Sequence, residues 1–170
     1  MDQKNLAVEL LKRLIAEQVR IYRRTNIIKS EKFSDLMQGA MNRYLNGLLS
    51  NEEVIQELLK IAQEIIEGQK AGDDLGLSAE ELAFYDAITK PTAIKDFYNN
   101  DQLIHITKEL TEELRRNKTI DFQKRESARA RMKMIVKRLL KKYKYPPEGM
   151  EDAVNTVMEQ CELWADGIDE

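Results

Sequence analysis

Between Thr119 and Pro147 the chain reads TIDFQKRESARARMKMIVKRLLKKYKYPP, and this stretch constrains the fold more than any other. Ala128, Met132, Ile135, Val136, Leu139, Leu140 and Tyr143 recur at helical steps, so one stripe of a long helix must face a core. Asp121 is placed to cap the first turn, where a carboxylate accepts orphan backbone N–H groups. Pro146 and Pro147 end the helix, because proline bars the preceding residue from helical backbone angles. A helix with one apolar stripe needs neighbours to cover it, and the remaining sequence supplies more helices.

Asn5 to about Arg24 is the first, with Ala7, Leu10, Leu11, Leu14 and Ile21 expected inward. Thr25 to Ile28 reads as a break, after which Ser30 is expected to cap a helix to about Leu49. Its stripe is Phe33, Leu36, Met37, Ala40, Met41, Tyr44, Leu45 and Leu48. Ser50 with Glu53, and Ser78 with Glu81, are capping boxes: each serine faces a glutamate three residues on. The helix after Ser50 buries Val54, Leu58, Ile61, Ala62 and Ile65 and is expected to stop between Gly68 and Gly72. Gly72 to Leu77 then forms the main loop. The helix after Ser78 reaches Ile88 and breaks at Lys90-Pro91, with a further turn of helix within 91–98. Asp101 is expected to cap a helix to Arg116 carrying Leu103, Ile106, Leu110 and Leu114 inward. The last helix, from about Glu148 to Asp166, has Met150, Ala153, Val154, Val157, Met158, Cys161 and Trp164 as its stripe. No segment alternates apolar and polar residues over a strand's length. The fold class is therefore all-α: a bundle of seven or eight helices in one domain, 1–170, with a possible subdivision into 1–72 and 77–170.

Charge is unevenly distributed. Lys124 to Lys144 holds ten Lys or Arg against one Glu, a local +9 in a chain of net −3, so the remainder carries −12. Two readings stay open. The basic helix meets phosphates or an acidic protein surface, or its charges pair with acids of its own bundle. Phe122 precedes the run while Tyr143 and Tyr145 close it, so aromatics are not interleaved for stacking on single-stranded bases.

Catalytic equipment is not visible. His105 is the one histidine and lies off its apolar stripe. Cys161 lies within a stripe, where a thiol behaves as a small hydrophobe, and one His with one Cys makes no plausible metal set. Asp73 and Asp74 lack further carboxylates at calcium-loop spacing. There is no Gly-rich phosphate loop. One Cys forms no internal disulfide, which makes a reducing cytoplasm the expected compartment. No segment has the roughly 18 apolar residues of a membrane span. Met37 with Met41, and Met132 with Met134, read as core packing rather than an adaptable binding surface.

Several segments resemble a known family. Asn117 to Phe122, Arg125 to Ala130, Val136 to Tyr143 and Tyr145-Pro146-Pro147 closely resemble the C-terminal helical region of the restriction (motor) subunit of type I restriction-modification enzymes. Leu77-Ser78, Glu80-Glu81 and Ala83 to Ile88 look like that family's Leu-Ser, Glu-Glu and Ala-Phe-Tyr-Asp-Ala segment. Thr25-Asn26, Ser30 and Phe33-Ser34 look like an earlier one. Phe122 stands where the family has Trp.

The resemblance implies a fragment of a larger subunit that carries a nuclease domain and two helicase-like ATPase domains. ATP and Mg are then expected for the parent, and no cofactor, metal or catalytic residue for this fragment. The implied function is a non-catalytic assembly domain. It would dock on the methyltransferase and specificity subunits, and on DNA through that complex. The contact set is Arg125, Arg129, Lys133, Lys137, Arg138, Lys141 and Lys144. Lys133, Lys137, Lys141 and Lys144 are expected on the face opposite Met132, Ile135 and Leu139. The rival readings are a free-standing helical nucleic-acid-binding protein and a purely structural bundle.

Overall fold

The computed structural model describes residues 3–91, 93–118 and 126–168. Among them are eight helices and no strand: α1 (Gln3–Thr25), α2 (Ile27–Leu45), α3 (Asn51–Leu75), α4 (Ala79–Ile88), α5 (Ile94–Phe97), α6 (Asn100–Asn117), α7 (Glu126–Lys142) and α8 (Pro147–Ile168). Asp121 and Phe122 lie outside the described residues, as does the side chain of Trp164.

The buried apolar side chains form two clusters. Val8, Ile15, Val19, Phe33, Val54, Leu58 and Ile65 lie in the first, built by α1, α2 and α3. The second is built by α4, α6, α7 and α8 around residues such as Phe84, Leu103, Leu110, Val136, Leu140 and Val157. A polar seam joins the two at the sharp corner between α1 and α2. The Asn26 amide donates to Asp86 (2.8 Å), and Lys29 Nζ lies 3.2 Å from the same carboxylate. Gln160 of α8 accepts from the Ile27 N–H (2.9 Å) and donates to the Thr25 carbonyl (2.8 Å). Thr25-Asn26 and Ala83 to Ile88, two of the segments that carry the resemblance, thus meet in space.

Both serine capping boxes form as their spacing predicts. Ser50 and Ser78 each accept from the N–H three residues on, and Glu53 and Glu81 reciprocate. Elsewhere the structure corrects the expectations. Asn26, not Ser30, caps α2, accepting from the Lys29 N–H at 3.1 Å. Asn is as good a cap as Ser, and only one residue separates the helices, so Ser30 is already inside and buried. Asn99, not Asp101, caps α6 through a box with Gln102. Asp101 instead sits in the first turn, where a carboxylate complements the helix dipole.

α3 does not stop at Gly68 or Gly72 but runs to Leu75 and ends on Gly76 in the left-handed region (φ 71°). Gly72, inside the helix, serves packing. A Cβ on Gly72 would come within 3.2 Å of Leu82 Cδ2 and 3.3 Å of the Leu77 carbonyl.

α1 departs most from its expected stripe. Val8, Ile15, Val19 and Tyr22 are buried, while Leu10 (57%), Leu14 (58%) and Ile21 (45%) stay exposed. The helix carries two apolar rows of the same period, and packing against α2 and α3 selects one. Leu36, Leu45 and Leu48 of the second expected stripe are also exposed, and Leu48 lies beyond the end of α2 at Leu45. Met134 is exposed although Met132 is buried.

Candidate functional site

α7 lays Met132, Val136, Leu139 and Leu140 into the second core. It stops at Lys142, short of the prolines. The Lys144 N–H bonds to the Lys141 carbonyl (3.0 Å) and the Tyr145 N–H to the Leu140 carbonyl (2.9 Å). These are the paired bonds of a helix end closed by a left-handed residue, and that residue is Lys144 at φ 59°. Two tyrosines hold the turn that follows. Tyr98 Oη donates to the Tyr143 carbonyl and Tyr145 Oη to the Ile88 carbonyl, each at 2.7 Å. Burial pushes both phenols above their usual pKa.

The turn brings the start of α8 beside the end of α7, and a groove of about 460 Å³ opens between them. Lys133, Lys137, Lys141 and Lys144 line its α7 side. Tyr145, Pro147, Met150 and Val154 form its floor and end, and Glu151 stands on the α8 side. All four lysines are exposed. Successive helical residues turn by about 100°, so along α7 the row runs from about a quarter-turn (Lys133) to about half a turn (Lys141) away from the buried Met132.

The basic residues divide into paired and unpaired sets. Arg129 pairs with Glu162 of α8 at 2.5 Å. Lys142 Nζ donates to Glu109 of α6 at 2.8 Å, and the Tyr143 hydroxyl donates to the same carboxylate. The Lys142 ammonium and then the Tyr143 hydroxyl hold Glu109 below the usual carboxylate range. Lys133, Lys137, Arg138, Lys141 and Lys144 have no acid partner among the described residues. Arg138 is exposed but does not line the groove. Arg125 lies outside the described residues.

The expected lysine row therefore shares one groove, while Arg129 and Arg138 stand apart from it. The groove's α8 side was not foreseen. Met150 and Val154 carried only a core signal, and nothing in the order of residues pairs them with a lysine. His105 is exposed and 3.8 Å from Glu109. Cys161 is buried, and its thiol is pushed up to about 12 by desolvation. No described helix is long and apolar enough to cross a membrane.

Comparison with known proteins gives the family. The family model described as "Type I restriction enzyme HindI endonuclease subunit-like, C-terminal" matches residues 1–167. The chain belongs to this family. It is 39% identical over 165 residues to the type I restriction enzyme HindI endonuclease subunit of Haemophilus influenzae, a match covering 97% of this chain and 16% of that protein. A putative type I restriction enzyme MjaIXP endonuclease subunit of Methanocaldococcus jannaschii is 26% identical over 153 residues, covering 89% of this chain and 14% of the relative. The chain thus spans about a sixth of the curated relatives it matches. No solved structure matches it. The all-α C-terminal domain of a type I restriction endonuclease subunit is what the resemblance implied, and family and fold agree with it.

Proposed function

We propose that this domain is the non-catalytic assembly element of a type I restriction endonuclease subunit, docking that subunit on its methyltransferase–specificity core. The observation that carries the reading is the row Lys133, Lys137, Lys141 and Lys144, exposed along one groove without acid partners among the described residues. Internal neutralisation accounts for Arg129 and Lys142 and leaves this row unexplained. Four adjacent lysines without partners repel one another, and an anionic surface relieves that repulsion. In this reading ATP-dependent translocation and cleavage of DNA belong to the rest of the parent subunit, with ATP and Mg bound there, in the cytoplasm.

The test is the double reversal Lys137→Glu/Lys141→Glu in the subunit that carries this domain. A folded variant with weakened capture by the methyltransferase–specificity core is the expected result. Normal assembly of a well-folded variant sinks the docking role. A second reading, direct contact with DNA, draws on the same row. It requires sequence-indifferent binding by the isolated chain whose log–log salt slope rises by about 0.9 per phosphate met. Loss of folding stability with no change in either binding returns the row to a structural role.

A further inference from the structure

The groove is more selective than a basic patch. Its two sides differ in charge: the α7 side presents the four lysines, and the α8 side presents Glu151, with Glu148 and Asp152 exposed on the same helix. Between them the floor is apolar, formed by Tyr145, Met150 and Val154, with Pro147 at the end. The lysine stems add apolar wall, since long basic side chains lie along apolar surface and keep only their heads in water.

A nucleic-acid strand suits this arrangement poorly. It is anionic on every side, so a strand seated between the rims meets Glu151 as well as the lysines. A duplex also presents mainly sugar and phosphate outward, with little apolar surface for the groove's floor. A single small anion suits it poorly too, because Lys133, Lys137 and Lys141 step along α7 over about 12 Å rather than converging on one point.

We propose that the α7–α8 groove seats an amphipathic helix of a partner protein, apolar side down, with a row of carboxylates along the α7 rim. Carboxylates at four-residue steps on a helix repeat at about 6 Å, the same repeat as the lysines facing them. The cavity of about 460 Å³ lies within the ordinary range for a site that takes several apolar groups. The partner helix is neutral or basic on the side that faces Glu151. This inference rests on the docking reading and adds to it the chemistry of the occupant.

The probes are peptides of about 24 residues, long enough for several helical turns, tiling the methyltransferase and specificity subunits encoded with the protein. Their binding to this chain is followed by fluorescence anisotropy at physiological salt. Segments with acids at four-residue steps beside an apolar face are expected to bind. Lys137→Glu/Lys141→Glu should weaken them at least about tenfold, while Arg138→Glu, outside the groove, changes binding less than about twofold. A scrambled peptide of equal charge should fail to compete, and so should duplex DNA. Binding that follows net charge alone, competition by duplex DNA, or no binding segment at all overturns the proposal. If the double reversal blocks subunit assembly while no tiled helix binds, the docking reading stands and the helical occupant is wrong. If the reversal leaves assembly intact, both fall.

Discussion

Removing the Asp86 carboxylate should cost more stability than its position on a short helix implies. Asp86 belongs to α4, and its carboxylate reaches across to the α1–α2 corner. There it receives the Asn26 amide at 2.8 Å and lies 3.2 Å from Lys29 Nζ. The Lys29 side chain is only 10% exposed and that of Asp86 19%. Breaking a buried pair by deleting one partner costs about 3–5 kcal/mol, because the other charge is left without compensation. Two features place Asp86→Ala at the lower end. Lys29 Nζ keeps the Gly68 carbonyl at 3.3 Å, and neither side chain is wholly shut off from water. The lost Asn26 bond adds about 1 kcal/mol. The expected total is about 4 kcal/mol, or roughly 8–16 °C in melting temperature for a chain of this size.

Urea denaturation followed by circular dichroism reads the change. Asp86→Asn, which keeps an acceptor for Asn26 but loses the charge, should fall between wild type and Asp86→Ala. Lys29→Met combined with Asp86→Ala should be less damaging than the sum of the single changes, by at least about 1 kcal/mol. We further expect Asp86→Ala to loosen the seam between the two apolar clusters, so that unfolding broadens or separates into two steps. A loss for Asp86→Ala below about 1 kcal/mol, with additive double-variant behaviour, would refute the seam as a source of stability.

The other expectations concern α6, α7 and α8. Leu139→Ala, which empties part of the second core, should destabilise by about 2–5 kcal/mol in the same titration; an unmoved midpoint means Leu139 is not packed there. Lys144→Gly should raise stability by about 0.5–1 kcal/mol: the strain of a left-handed L-residue, about 1–2 kcal/mol, outweighs glycine's extra entropy in the unfolded chain. A lowered melting temperature contradicts that backbone geometry. Glu109 is held below its usual pKa, so its contribution is present above the unfolded value near 4.5 and is lost as pH falls through the lower folded value. Glu109→Gln should accordingly flatten the acid limb of a stability–pH profile below that point, and an unchanged limb excludes the pair. Cys161 should resist a thiol reagent at pH 8 in the native state and react once the chain is unfolded; prompt native reaction would show the thiol accessible.

The sequence by itself determined what is local. Helical period, the Ser50 and Ser78 boxes and the absence of alternating segments specify an all-α chain, because capping and periodicity involve residues within four positions of one another. The inward faces of α3, α6 and α8 were legible where each helix has a single apolar row. The segments around Asn117, Tyr143 and Asp86 were enough to point to the family. The tertiary structure alone decided three things. It chose between the two apolar rows of α1, burying Val8 and Ile15 and leaving Leu10 and Leu14 in water. It turned Gly72 from an expected helix end into a close-contact site, because Leu82 packs against it. It moved the lysine row from an open helix face to the rim of a groove whose floor comes from another helix. In each case the deciding neighbour is remote in sequence or belongs to another helix, and periodicity carries no record of which helix packs on which.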